Sequence, residues 1–158
     1  MDVESIRNQV VTALEKAGIP YRIKPHTSAV FTSEDAARER GVALKQIVKT
    51  MLLSDKDGCI VVALLPGDRR MHIKKINRLL KGDFQLMSPD DVQSATGFVV
   101  GAISPVGLVS HGWEMVADPS IFSNEWVDIS SGDPSAGIEL RSADLRKLLR
   151  CRIEDIGR

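Results

Sequence analysis

The sequence predicts a single α+β domain, and three observations carry that reading. The chain has 158 residues, 43% hydrophobic and 27% charged, which suits one substantial core and is too apolar and too evenly charged for a disordered segment. Apolar residues alternate between helical spacing and short β-branched runs. These stretches follow one another without the regular strand and helix alternation of a doubly wound sheet, and no repeat or low-complexity linker divides residues 1–158.

Val3, Ile6, Val10, Ala13, Leu14 and Ala17 repeat at helical spacing, and Gly18 with Pro20 stops that helix. Residues 21–25 read as a short strand. Thr32 to Asp35 resembles a capping box opening a second helix, with Glu34 and Asp35 at its start, Arg38 and Arg40 at its end and Gly41 beyond, as the helix dipole favours. Residues 47–53 and 59–65 are β-branched runs joined by Asp55, Lys56, Asp57 and Gly58, a hairpin turn. Ile73, Ile76 and Leu80 form the buried stripe of a third helix, whose other side carries Lys74, Arg78 and Lys81. A strand at 84–87 precedes a fourth helix that starts at Ser88, Pro89, Asp90 and Asp91 and ends at Gly97. Strands follow at 114–117, 125–129 and 137–141. A last helix begins at Ser142 with Leu145, Leu148 and Leu149 inward, leaving a short tail.

Composition excludes several classes of function. No apolar run approaches the roughly 20 residues of a membrane span, and the start (Met1, Asp2, Glu4) lacks the basic and apolar regions of a secretory signal, so a cytoplasmic protein without membrane partners is expected. Cys59 and Cys151 form no CxxC pair, and His26, His72 and His111 are scattered, so neither a metal centre nor a disulfide framework is expected. Formal net charge is zero, yet the charges are segregated. Residues 1–81 hold 15 basic and 9 acidic residues, residues 82–140 hold 9 acidic and no basic ones, and residues 141–158 hold 6 basic and 3 acidic ones. Such a chain either presents a basic face to a polyanion or intermixes its segments on folding.

Lys49 lies inside the apolar run 47–53 and shares a strand face with Met51 and Leu53. An ammonium there either snorkels to water from a sheet edge or contacts an anion in a cleft. Residues 97–107 are apolar but broken by Gly97, Gly101, Pro105 and Gly107, and glycines let backbone N–H groups approach a ligand as oxyanion donors; a turn that only crosses the sheet has the same composition. Ser104 is no GxSxG nucleophile, because Ala102 and Val106 flank it two residues away. A second small-residue loop, 130–137, contains Ser131, Gly132 and Gly137 and is able to face the same cleft. No histidine has an acidic orienter nearby in sequence, so no triad assembles. Arg69, Arg70, Lys74, Lys75, Arg78 and Lys81 form the best polyanion footprint in the chain, or a solvated helix face. No aromatic residue interleaves them, so stacking onto bases is not indicated.

Lys49 in VKTMLL, the run IKKINRLLK, TGFVVGAISPVG with its Gly101-x-x-x-Pro105, and SSGDPSAGIELRSADL occur in an order and spacing that resemble the YbaK family, related to the editing domain inserted in bacterial prolyl-tRNA synthetases. The resemblance implies an α+β domain with a mixed, barrel-like sheet surrounded by helices, and a free-standing aminoacyl-tRNA deacylase that works without metal or other cofactor. It puts Lys49 on the family's functional lysine and Gly101 and Pro105 on its GxxxP loop. From it we expect Lys49, Gly101, Ala102 and Pro105 to carry catalysis, Ser104, Ser131, Gly132 and Gly137 to bind substrate, and Arg70, Lys74, Lys75, Arg78 and Lys81 to bind tRNA. The substrate would be a small mischarged amino acid of the Ala, Cys or Ser class, with tRNA for proline as the suggested carrier. The acceptor end of the aminoacyl-tRNA, and a synthetase, would be the partners. The alternative is a non-catalytic module that holds a nucleotide or the tRNA acceptor end in the same cleft.

Overall fold

The computed structural model describes residues 3–28 and 30–158, apart from the side chains of residues 3–8. Met1, Asp2 and the side chains of Val3, Glu4 and Ile6, used in the reading of the amino terminus and the first helix, therefore lie outside the described residues. Helix α1 (Val3–Lys16) buries Val10 and Leu14 completely and stops where Gly18 turns left-handed at φ 67°, letting Ile19 N–H return to Leu14 O. After β1 (Tyr21–Pro25), helix α2 (Ser33–Arg40) starts on Thr32, whose hydroxyl accepts from Asp35 N–H at 3.0 Å, and ends on left-handed Gly41. The hairpin of β2 (Val48–Ser54) and β3 (Ile60–Pro66) turns on Asp55, whose carboxylate accepts from Asp57 and Cys59 N–H. Helix α3 (Ile73–Leu80), strand β4 (Gln85–Leu86) and helix α4 (Pro89–Thr96) follow, then β5 (Glu114–Ala117), β6 (Trp126–Ser130), β7 (Ala136–Arg141), α5 (Ser142–Leu149) and β8 (Arg152–Ile153).

These strands make two sheets. Strands β1, β7 and β6 form an antiparallel sheet, and β4, β2, β3, β5 and β8 form a mixed one in which β3, β5 and β8 run parallel. Among the described residues the sheets join through a single parallel bridge between Ile47 and Asp128, so the expected barrel-like arrangement is present but not closed. Strand β4 pairs with β2 only at Leu53 and Ser54, and among the described residues that edge of β2 carries no strand over 48–51. An opening is left where closure would need a strand.

The larger core lies between the sheets and α1, α4 and α5, around Leu14, Leu52, Leu64, Ile129, Leu140 and Leu145. A second core packs Leu53, Val61 and Leu65 under Ile76 of α3 with Ile156. Strand β3 is thus buried on both faces, which is why its sequence is uniformly apolar rather than alternating. The tail departs from the sequence reading. It forms β8 beside β5 and then returns to α3's entrance, where Met71 bridges Gly157 and His72 N–H donates to Ile156 O at 2.8 Å. Among the described residues no helix is long and apolar enough to cross a membrane, and no group of three or more metal-ligating side chains is assembled.

Candidate functional site

A cleft of about 330 Å³ runs along the uncovered edge of β2, lined among others by Glu34, Arg40, Lys49, Thr50, Gly101 and Ser130. Three elements converge because of local choices in the sequence. Thr32 starts α2 at the cleft mouth, so Glu34 falls in its first turn and Arg40 in its last. The unpaired edge of β2 leaves Lys49 and Thr50 uncovered on that side. Gly101, at φ 95°, brings the 97–107 loop against residues 30 and 31, where a Cβ would stand 3.0 Å from Phe31 Cα and 3.2 Å from Val30 O. Only glycine permits both the backbone angle and the approach.

Lys49 is half-buried, and its Nζ donates to Arg69 O. Burial pushes the ammonium below the ordinary lysine range, Arg70 adds to the fall, and Glu34 and Asp68 oppose it. Thr50 Oγ1 is buried without a partner among the described residues. In the loop, Ala102 N–H is occupied by Val99 O at 3.0 Å, whereas Gly101 and Ile103 N–H meet no acceptor among the described residues. Ser130 Oγ donates to Gly101 O at 3.3 Å and ties the loop to β6.

The structure brings together only part of the expected set. Lys49 and Gly101 share the cleft, while Ala102, Ser104 and Pro105 are buried behind it. Ser104 Oγ is fully enclosed and has no partner among the described residues. Ser131 and Gly132 are buried in their own turn, with Ser131 Oγ donating to Ala136 O at 2.6 Å. Gly137 serves the site indirectly, because a Cβ there would stand 2.2 Å from Arg40 Nε; its absence is what lets that guanidinium lie across β7. On and before α3, Arg70, Lys74, Arg78 and Lys81 are exposed. Lys75 is not free like them, since its Nζ reaches Asp155 at 3.1 Å and Gly157 O at 2.8 Å.

Sequence reasoning missed Arg40 and Asp128. Arg40 is 5% exposed and, among the described residues, reaches only His26 Nε2 at 3.4 Å and Ile129 O at 3.5 Å. Its spacing from Ala36 and Ala37, four and three residues, was the available signal for a buried position. Asp128 lies on the face of β6 opposite the apolar Val127 and Ile129, yet it is wholly buried and its oxygens have no hydrogen bond among the described residues. Burial pushes its carboxyl up to about 6, with Glu139 adding to the rise and Arg40 and Lys24 opposing it.

The model of the aminoacyl-tRNA editing domain family matches residues 27–148. A proline–tRNA ligase of Thermosipho melanesiensis is 35% identical over 98 residues, 61% of this chain and 17% of the ligase. That of Oleidesulfovibrio alaskensis is 31% identical over 145 residues, 89% of this chain and 24% of the ligase. The chain therefore spans a quarter or less of these relatives. A crystal structure described as a candidate trans-editing enzyme for prolyl tRNA synthetase superposes with a TM-score of 0.86 at 25% identity, covering 97% of each chain.

Proposed function

Because the chain belongs to the aminoacyl-tRNA editing domain family, we propose that it is a trans-acting deacylase that hydrolyses the ester of a small mischarged amino acid, of the Ala, Cys or Ser class, on tRNA for proline. The observation that carries this reading is the meeting, in one cleft, of a partly desolvated ammonium at Lys49 and N–H donors at Gly101 and Ile103 that meet no acceptor among the described residues. An aminoacyl ester is already activated. Its hydrolysis needs positioning and stabilisation of the developing oxyanion more than a strong nucleophile, which suits a site without a triad.

In this mechanism the loop N–H groups polarise the ester carbonyl and Lys49 holds the terminal adenosine or its phosphate. Water, assisted by the free ribose hydroxyl, attacks the carbonyl carbon; the bond to the ribose oxygen breaks, and that oxygen takes the proton. The biological role is a second sieve, since a synthetase pocket separates similar small amino acids by only ~1–3 kcal/mol per methylene. Arg70, Lys74, Arg78 and Lys81 would bind the tRNA backbone, with a synthetase as the source of the substrate.

A panel of tRNAs charged with Ala, Cys, Ser and Pro tests the reading. One small amino acid should be released in preference to Pro, and prolonged chelation should leave the rate unchanged because the polarising donors are backbone groups. Release of none of the four, or loss of activity on chelation with recovery on added zinc, contradicts it.

A further inference from the structure

The acceptor that holds Lys49 is a backbone carbonyl in the loop between β3 and α3, and that loop is fixed from outside the cleft. Arg69 Nη1 donates to Asp118 Oδ2 at 2.7 Å and Nη2 to Asp155 Oδ1 at 3.3 Å. Asp118 is 0% exposed, and the same carboxylate takes Ser120 N–H at 3.1 Å and Ile156 N–H at 3.2 Å, so it cannot turn away without exposing several donors. The tail lies directly on the guanidinium: a Cβ at Gly157 would stand 2.9 Å from Arg69 Cζ and Nε. Arg158 N–H to Arg70 O at 2.9 Å and Gly67 N–H to Ile47 O at 2.7 Å fasten the loop on either side of Arg69.

We propose that Arg69, clamped by Asp118 and Asp155, is a positioning residue that sets the place and the charge state of the Lys49 ammonium through its own carbonyl. An ammonium has three donors. One is spent on Arg69 O, which fixes the direction of the other two and compensates in part for the desolvation of the charge. Released from the clamp, the carbonyl drifts, and Lys49 loses both its orientation and a stabiliser of its charged form. The charged groups that act on Lys49 directly are Glu34 of α2 and Asp68 and Arg70 of the same loop, and none of the clamp residues is among them. The clamp therefore works through geometry. The catalytic consequence rests on the deacylase reading of the cleft; the effect on Lys49 does not.

The test titrates the Lys49 ε-group by NMR in the ligand-free protein and measures turnover of mischarged tRNA in parallel. Asp118→Asn and Arg69→Met should each lower the Lys49 midpoint by about 0.5 unit or more and lower kcat/KM about tenfold, with the alkaline limb of the kcat/KM profile moved to lower pH. Arg69→Met removes a positive charge, so a simple field effect would raise the midpoint instead. Asp155→Asn lies at an exposed position, keeps the fold if the buried variants do not, and should give a smaller shift of the same sign. Glu154→Gln, on the same tail but off the clamp, should change neither quantity. An unmoved midpoint in Asp155→Asn and in whichever of the other two folds overturns the proposal. Shifted midpoints in the variants, with a wild type that hydrolyses no charged tRNA, uphold the positioning role and overturn the deacylase reading.

Discussion

An ammonium half-buried on a strand is costly unless a partner offsets its desolvation, and at Lys49 that partner is Arg69 O. Lys49→Ala should lower deacylation at least a hundredfold while leaving the thermal midpoint unchanged or raised, because truncation removes a desolvated charge rather than creating one. Lys49→Arg should rescue poorly, since a planar fork replaces a compact point charge beside Arg69 O; wild-type rates in both variants at matched folded concentration contradict the assignment. Asp128 makes a separate prediction. Its carboxyl titrates at about 6 in the folded protein against 3.8 when unfolded, so the unfolded chain gives up its proton first and stability is lost as pH rises through that interval. Relative to Asp128→Asn, which does not titrate, the wild type should lose ~2–3 kcal/mol between pH 4 and pH 7 in urea denaturation; a constant difference refutes a buried, titrating Asp128. Lys49 was legible in the sequence because a charge inside an apolar run is conspicuous. Arg40 was written in its spacing from Ala36 and Ala37 but matched the helix-dipole pattern equally well. Asp128 gave no sign, because strand alternation places it away from the apolar core, and the bridge to Ile47 and the side chain of Arg40, both distant in sequence, lie against β6.

In the proposed mechanism helix α3 serves binding rather than chemistry. Lys74, Arg78 and Lys81 are exposed and make no ion pair among the described residues, whereas Ile76 is fully buried beneath them. Reversing the three to Glu should raise KM for full-length charged tRNA and flatten its salt dependence with nearly unchanged kcat, because phosphate contacts position a polyanion and release counterions. An unchanged KM and salt slope assign the helix to solvent and move the tRNA elsewhere, with Arg146, Lys147 and Arg150 of the α5 end as the next candidates. The Gly101 loop behaves differently. Gly101→Ala meets both a left-handed φ and the backbone of residues 30 and 31, so it should cost ~1–3 kcal/mol and lower kcat together; calorimetry showing full stability would contradict the close approach. Helices with caps at Thr32, Ser88 and Gly97 were readable to within a residue or two, because the capping chemistry is local. The pairing of β8 and the return of residues 155–158 to α3's entrance were not, since a two-residue strand has no period and its partners are distant in sequence.

Across the molecule, the segregated charges are largely intermixed by folding. Lys24 pairs with Glu139, Arg69 with Asp118, Arg141 with Glu125 and Arg152 with Glu114, so acids of the middle segment neutralise bases from both ends. Basic side chains stay exposed on α3 and its approach, close to the loop whose carbonyl holds Lys49, and at the end of α5. Among the described residues the two sheets meet in a single bridge, and the gap beside it is the cleft, so the incomplete closure and the candidate site have one cause. Whether that cleft turns over its ligand or only holds it is settled by incubating mischarged tRNA with the protein at about one hundredth of the tRNA concentration and following the acylated fraction. Our reading expects the charged species to be cleared completely, with many turnovers per molecule of protein and none by Lys49→Ala. Protection of the ester, or release limited to the stoichiometric amount, would contradict it and make the protein a binding module for the acceptor end.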